Sequence, residues 1–85
     1  MKGSILIADD EQEIRESLSL ILEDEGYDCE TAEDGQDALN RVKNANFDIL
    51  IADIKMPNLS GMELLEEVRQ ISPQTLPIII TAYAT

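Results

Sequence analysis

Residues 46–61, NFDILIADIKMPNLSG, determine which fold this chain can adopt. An unbroken run of apolar and small residues at positions 49–52 ends in Asp53, and a loop follows. Such a run without polar alternation is typical of a strand buried on both faces, as in a parallel sheet covered by helices. Asp53 would then lie at the carboxyl edge of the sheet, where α/β proteins bind ligands. Taken alone, it could equally be a solvated carboxylate or one bonded to turn amides.

The first strand repeats this pattern, because ILIAD occurs at residues 5–9 and again at residues 49–53. If the two strands are neighbours in register, Asp9 and Asp53 emerge side by side, with Asp10 next to them. Repulsion between the carboxylates would raise at least one pKa unless a cation neutralises them. Oxygen ligands without histidine or thiolate suit Mg²⁺. The cluster therefore predicts a magnesium site.

The rest of the chain alternates between predicted strands and helices. Strands are expected at residues 4–8, 27–32, 49–53 and 77–80. Helical spacing of apolar residues predicts three helices between them, with these apolar faces: Ile14, Leu18, Ile21 and Leu22; Ala38, Leu39 and Val42; Met62, Leu64, Leu65, Val68 and Ile71. The alternation requires parallel strands joined by right-handed crossovers. The chain has no glycine-rich phosphate loop. Together with the length and the order of the elements, this absence predicts a flavodoxin-like sheet rather than a dinucleotide-binding one.

Local signals predict where several helices begin and end. Asp10 and Ser60 are each followed three residues later by Glu, the pattern of a capping box at a helix start. Gly26 is expected to end the first helix in a left-handed conformation. Asp34 and Gly35 predict a turn.

Composition limits the class of protein. The 85 residues carry six basic and eighteen acidic side chains, a net charge of −12, which argues against nucleic-acid binding by this segment. The length allows one domain with a small core. No apolar run approaches the ~20 residues of a membrane span. With the single Cys29 and no signal peptide, we expect a cytoplasmic protein.

These residues together resemble the receiver domain of bacterial two-component response regulators. The features that carry the resemblance are Asp9-Asp10 after the first strand, Asp53 after the third, Met56-Pro57 with Gly61 in the loop, and Thr81-Ala82 after the fourth. The resemblance implies the strand order 2-1-3-4. The run at residues 81–85, TAYAT, resembles receivers of NtrC-type transcription activators.

The resemblance also implies a function. Asp53 would be the phosphoacceptor, which takes a phosphoryl group from a histidine kinase and signals to an output domain. Asp9, Asp10, Asp53 and the backbone carbonyl of Lys55 would hold Mg²⁺. Thr81 would act as the switch residue that binds the phosphoryl group. Such a domain assists its own phosphorylation but is not an enzyme.

Three residues of the same loop are expected to shape it and to do no chemistry. Pro57 fixes its own φ and favours an extended Met56. Gly61 permits a conformation or a close approach that other residues resist.

The chain ends at Thr85, directly after the fourth predicted strand. Receivers continue with a helix, a fifth strand and a further helix, so the resemblance implies that residues 1–85 are a partial receiver domain. It would lack the lysine and the aromatic switch residue of the fifth strand. The fourth strand would then be an unprotected edge, and we expect self-association through it.

Two other functions fit the sequence. The chain could be a receiver-like interaction or dimerisation module that transfers no phosphate. A Mg²⁺-dependent hydrolase with Asp53 as nucleophile fits less well, because Lys55 occupies the position of the general-acid Asp of aspartate-nucleophile phosphatases.

Overall fold

A computed structural model describes residues 2–80, which form one parallel sheet with helices on both faces. The elements alternate as the sequence predicts: β1 (Ser4–Ala8), α1 (Gln12–Asp24), β2 (Asp28–Ala32), α2 (Gly35–Asn44), β3 (Ile49–Asp53), α3 (Gly61–Ile71) and β4 (Leu76–Ile80). The predicted strand order, β2-β1-β3-β4, is confirmed. Residues 81–85, with the predicted switch residue Thr81, lie outside the described part. No helix within residues 2–80 has the length and apolarity needed to cross a membrane.

The strand order decides which helices share a face of the sheet. The chain moves one way from β1 to β2 and the opposite way afterwards, so right-handed crossovers place α1 on one face and α2 and α3 on the other. The main core lies on the α2–α3 side. Its buried members are Leu6, Ala8, Ala32, Ala38, Leu39, Val42, Phe47, Leu50, Ala52, Leu64 and Val68.

Helix α1 covers its face of the sheet less completely. It lies against β1 and β2, where Ile5 and Ile7 are buried, but none of its own residues is fully buried. The predicted placement of Ile21 on the apolar face is wrong, because 59% of this residue is exposed. Met62 and Ile71 of α3 are likewise exposed, while Leu64 and Val68 carry the contact with the core.

The three local signals for helix starts and turns have different outcomes. Ser60 and Glu63 form the predicted capping box of α3. Asp34 caps α2 by accepting a hydrogen bond from the backbone N–H of Asp37 at 2.7 Å, so the expected turn at residues 34–35 is a helix start. The predicted capping role of Asp10 is wrong: Glu11 is the N-cap of α1 and makes no side-chain capping bond.

Gly61 packs directly beneath the end of β3. Its backbone N–H donates to the carbonyl oxygen of Ile54 at 3.0 Å, and a Cβ at this position would overlap the carbonyl oxygen of Asp53. The close approach expected of Gly61 is therefore present, and its cause is the meeting of the α3 N-terminus with the chain that leaves β3.

We predict that Gly61→Ala lowers the free energy of unfolding by about 1–3 kcal/mol in urea denaturation, because the backbone of Asp53 has to move. In an ordinary helix position the same change would stabilise by about 0.5–1 kcal/mol. Gln70→Ala, at an exposed position of the same helix, is the control and should change stability by less than about 0.5 kcal/mol. A Gly61→Ala variant as stable as the wild type would contradict the packing described here.

Candidate metal centre

Pairing between β1 and β3 brings the ends of the two identical ILIAD segments together. The strands are parallel and in register, with Ala8 opposite Ala52, so the residues that follow emerge at the same edge. Asp9, Asp10 and Asp53 each present a carboxylate oxygen there, and these oxygens lie within 4.8 Å of one another. The juxtaposition that the sequence pattern implies is therefore present in the structure.

Asp9 is the most constrained of the three carboxylates. Only 3% of the residue is exposed, and its Oδ1 accepts a hydrogen bond from the backbone N–H of Glu11 at 2.9 Å. Burial raises the pKa of Asp9, and the nearby carboxylates of Asp53, Asp10 and Glu11 raise it further, while the Glu11 hydrogen bond acts in the opposite direction. Repulsion between the carboxylates therefore raises the pKa of Asp9 as the sequence predicts, but desolvation is the larger cause.

Arg15 supports the turn that carries Asp9. Its Nη1 donates to the backbone carbonyl of Asp9 at 2.7 Å, from one turn along α1. The guanidinium thereby connects the first part of α1 to Asp9, the residue directly after β1. Sequence reasoning missed this residue, since nothing distinguishes it from an ordinary surface arginine until the helix is placed.

Asp53 and the loop after it form the other half of the site. Asp53 is 7% exposed, and the backbone N–H of Lys55 donates to its Oδ1 at a long 3.4 Å. An open cleft of about 340 Å³ lies alongside, lined by Asp10, Ile54, Lys55, Met56, Pro57 and Ser60. Two of the residues expected to shape the loop, Met56 and Pro57, therefore line the cleft next to the carboxylates.

The middle of this loop is attached to α2. Asn58 adopts a left-handed backbone conformation with φ of 70°, and its Nδ2 donates to Asp34 Oδ2 at 2.9 Å. Beside it, Gly35 packs so closely on the backbone of Leu59 that a Cβ would overlap the Leu59 carbonyl. We call these four residues the loop contact. The sequence offered partial signals for it, because Asn tolerates the left-handed region and Asp is a frequent helix cap.

The donor set fits a hard divalent cation. The three carboxylates supply oxygen only, and the chain contains no histidine. Two of the three are buried and like-charged, an arrangement that is costly unless a cation compensates it. Small size and a preference for carboxylates with retained waters make Mg²⁺ the best match among common cations.

Comparison with known proteins identifies the family. The family model of the response regulator receiver domain matches residues 5–85. The chain belongs to this family. This receiver domain is 41% identical over 78 residues to a response regulator receiver protein of Anaeromyxobacter sp., a match that covers 92% of this chain and 33% of the relative. It is 43% identical over 70 residues to the transcriptional regulatory protein CpxR homolog of Haemophilus influenzae, covering 82% of this chain and 30% of the relative.

The fold of the receiver domain is also that of solved structures. The response regulator TrrA of Thermotoga maritima, crystallised in complex with Mg(2+)-BeF, superposes with a TM-score of 0.90 at 43% identity. The match covers 95% of this chain and 70% of TrrA. The chain thus spans about a third of the length of the two curated relatives and just over two thirds of TrrA.

The raised pKa of Asp9 leads to a prediction about stability and pH. A carboxyl group whose pKa is raised on folding favours the folded state when it is protonated, so its unfavourable contribution is complete above the folded pKa. That contribution is relieved as the pH falls through the folded pKa towards the ordinary value of 3.8. Without Mg²⁺, Asp9→Asn should therefore be more stable than the wild type at pH 7, because an asparagine oxygen can still accept the Glu11 bond.

Urea denaturation of the wild type and of Asp9→Asn across the range from pH 7 to pH 4 measures this effect. The stability difference should shrink steadily towards the acid end. Glu66→Gln, at an exposed position within α3, is the charge-matched control for the loss of one carboxylate. A difference between Asp9→Asn and wild type that grows on acidification would mean that the site does not repel the Asp9 charge.

Proposed function

We propose that this receiver domain is phosphorylated on Asp53 by a histidine kinase, with Mg²⁺ bound by Asp9, Asp10 and Asp53. The observation that carries the proposal is the cluster of three carboxylates at the ends of β1 and β3, beside an open cleft. The Mg(2+)-BeF complex of TrrA supports it, because TrrA shares this fold at 43% identity. The ligand role of the Lys55 carbonyl and the switch role of Thr81 remain predictions.

The proposed reaction is a transfer between two side chains. An oxygen of the Asp53 carboxylate forms a bond to phosphorus while the phosphorus–nitrogen bond of phosphohistidine breaks, and the departing imidazole nitrogen takes up a proton. Asp53 is suited to this because it is held at the end of a buried strand and needs little reorganisation. Phosphoryl transfer depends mainly on such positioning and on charge neutralisation. The domain provides both for its own modification, and for that reason we regard it as a phosphoacceptor rather than an enzyme.

A bound Mg²⁺ would neutralise charge on the carboxylates and on the incoming phosphoryl oxygens. Asp9 contributes to this by its fixed position, because the Glu11 hydrogen bond and the Arg15 contact hold its end of the turn. The exposed Asp10 completes the cluster from the solvent side. These residues bind and orient, while Asp53 alone forms the new covalent bond.

The position of the domain in a longer protein is part of the proposal. Its relatives are about three times as long as the matched region, and one is named a transcriptional regulatory protein. We propose that residues 1–85 are the first part of a receiver that controls an output domain, with transcription as the regulated process. An NtrC-type parent, a cytoplasmic location and the lack of nucleic-acid binding by this segment stay predictions from the sequence.

Incubation with Mg²⁺ and acetyl phosphate, followed by intact-mass measurement, tests phosphorylation. We expect one phosphoryl adduct on the wild type and none on Asp53→Asn, because the amide cannot act as the acceptor. Asp24→Asn, which alters an exposed carboxylate far from the cluster, should still be modified. An adduct that persists in Asp53→Asn would place the modification elsewhere. No adduct on either the wild type or its longer parent would favour the interaction module.

The exposed edge of the sheet supports a further part of the proposal, namely self-association through β4. Within residues 2–80, β4 pairs only with β3, and its Leu76 and Ile78 are 58% and 41% exposed. An apolar edge with unpaired backbone groups favours pairing with another chain. The net charge of −12 opposes close approach of two copies, so we expect association to strengthen with salt.

Analytical ultracentrifugation at tens of micromolar protein, at low and at high salt, tests this expectation. The wild type should sediment in part as a dimer or larger species. Ile78→Lys should shift it towards the monomer, because a charged side chain on an edge strand discourages pairing. Leu20→Lys introduces the same charge at a 72% exposed residue of α1, which lies against β1 and β2, and should have little effect. A wild-type chain that is monomeric at both salt concentrations would rule out this mode of association.

A further inference from the structure

The loop contact lies outside the three carboxylates, yet it attaches to the same loop that borders them. The segment from Asp53 to Gly61 is fixed at its two ends. Ile54 donates its N–H to the carbonyl of Ile80 at 3.1 Å and accepts from the N–H of Gly61 at 3.0 Å. These bonds secure the residue next to Asp53 and the start of α3, but they do not act on the residues in between.

The loop contact adds a restraint on the interior of the loop, beside the bonds from the Lys55 N–H to Asp53 Oδ1 and from the Leu59 N–H to the Pro57 carbonyl and the packing of Met56 on the core. Asn58 donates to Asp34 Oδ2, and Leu59 lies against Gly35 while its side chain packs on the core. With Ile54 fixed on one side and Asn58 on the other, only residues 55–57 remain between the two anchors. Pro57 fixes its own φ, which reduces the freedom of this short stretch further.

Asp34 can bind the start of α2 and the loop after Asp53 at the same time. Its Oδ1 accepts from the backbone N–H of Asp37 at the start of α2, and its Oδ2 accepts from Asn58. Both bonds favour the charged carboxylate, and accordingly they lower the pKa of Asp34, the backbone bond from Asp37 contributing most. A hydrogen bond to a charged acceptor is stronger than one between neutral groups.

We propose that Asn58 and Asp34 are a positioning pair for the metal centre: their hydrogen bond holds residues 55–57 in the conformation that completes the Mg²⁺ site. This inference rests on the proposed function, since it needs Mg²⁺ to bind at the three carboxylates. It assigns a role to two residues that touch neither the ion nor the phosphoryl group. Partners that orient metal ligands typically affect affinity by about 10- to 100-fold, and this exposed bond should act at or below that lower limit.

Asn58→Gly isolates the hydrogen bond. Glycine adopts a φ of 70° without strain, so the backbone conformation is retained and only the side-chain bond is lost. Asp34→Ser removes the bond from the other side, because a serine hydroxyl can still cap α2 but is too short to reach Asn58. Asn46→Gly makes the same chemical change as Asn58→Gly in an exposed loop at the opposite end of the sheet, and is the control.

Titration of the ¹⁵N-labelled 85-residue chain with Mg²⁺, monitored through the backbone amide shifts of residues 9–11, 53–56 and 58, measures binding directly. We expect Asn58→Gly and Asp34→Ser each to raise the Kd for Mg²⁺ about three- to tenfold. The double variant should bind Mg²⁺ no more weakly than the single variant with the higher Kd, because both changes remove the same hydrogen bond. Asn46→Gly should bind as the wild type does.

Phosphorylation by acetyl phosphate separates positioning from a general loss of structure. In Asn58→Gly the Mg²⁺ concentration for half-maximal rate should rise with the Kd, while the rate at saturating Mg²⁺ should stay within about twofold of wild type. A wild type that shows no saturable Mg²⁺ shifts would overturn the proposed metal site, and this inference with it. Normal Mg²⁺ binding by Asn58→Gly alongside a binding-competent wild type would overturn the inference alone.

Discussion

The alignment of β1 with β3 is the constraint on which the rest of the molecule depends. Pairing in register sets Ala8 opposite Ala52. The next residue of each strand, Asp9 and Asp53, therefore lies at the same edge of the sheet. Like charges do not gather unaided, so the apolar segments have to hold them there. Leu6, Ala8, Leu50 and Ala52 do this, because they are completely buried under α2 and α3. The hydrophobic core thus opposes the electrostatic repulsion of its own site.

The sequence allowed the strands and the carboxylate cluster to be predicted, because each depends on a short local signal, whereas the strand order was implied only by the resemblance to receiver domains. Two identical pentapeptides that end in Asp carry most of that information. The start of α1 was misplaced because another local bond forms instead of the capping box: Asp9 Oδ1 accepts from the Glu11 N–H two residues along, and the helix begins after Glu11. Helical periodicity likewise placed Ile21 on the face that contacts the sheet, whereas 59% of this residue is exposed in the structure of residues 2–80.

The contacts made by Arg15 and by the Asp34–Asn58 pair could not have been derived from the sequence. Asp34 and Asn58 are 24 residues apart, and only the crossover from β2 through α2 to β3 brings them within 2.9 Å. In the sequence, Asp34 and Asn58 look like two ordinary loop residues. The Asp34–Asn58 bond is informative because it joins the loop after Asp53 to the start of α2, whereas the hydrogen bonds from Lys55 and Leu59 stay within the loop itself.

The incomplete burial of α1 has a consequence for how the domain fluctuates. Stability within a protein follows local burial, and elements with few buried contacts open at a smaller free-energy cost than the core. Here α2 and α3 enclose their side of the sheet, whereas α1 has no fully buried residue. Among the three helices, partial opening should therefore begin with α1. Asp9, Asp10 and Arg15 all lie at or near the N-terminus of that helix, so the acidic site borders the helix with the fewest buried residues.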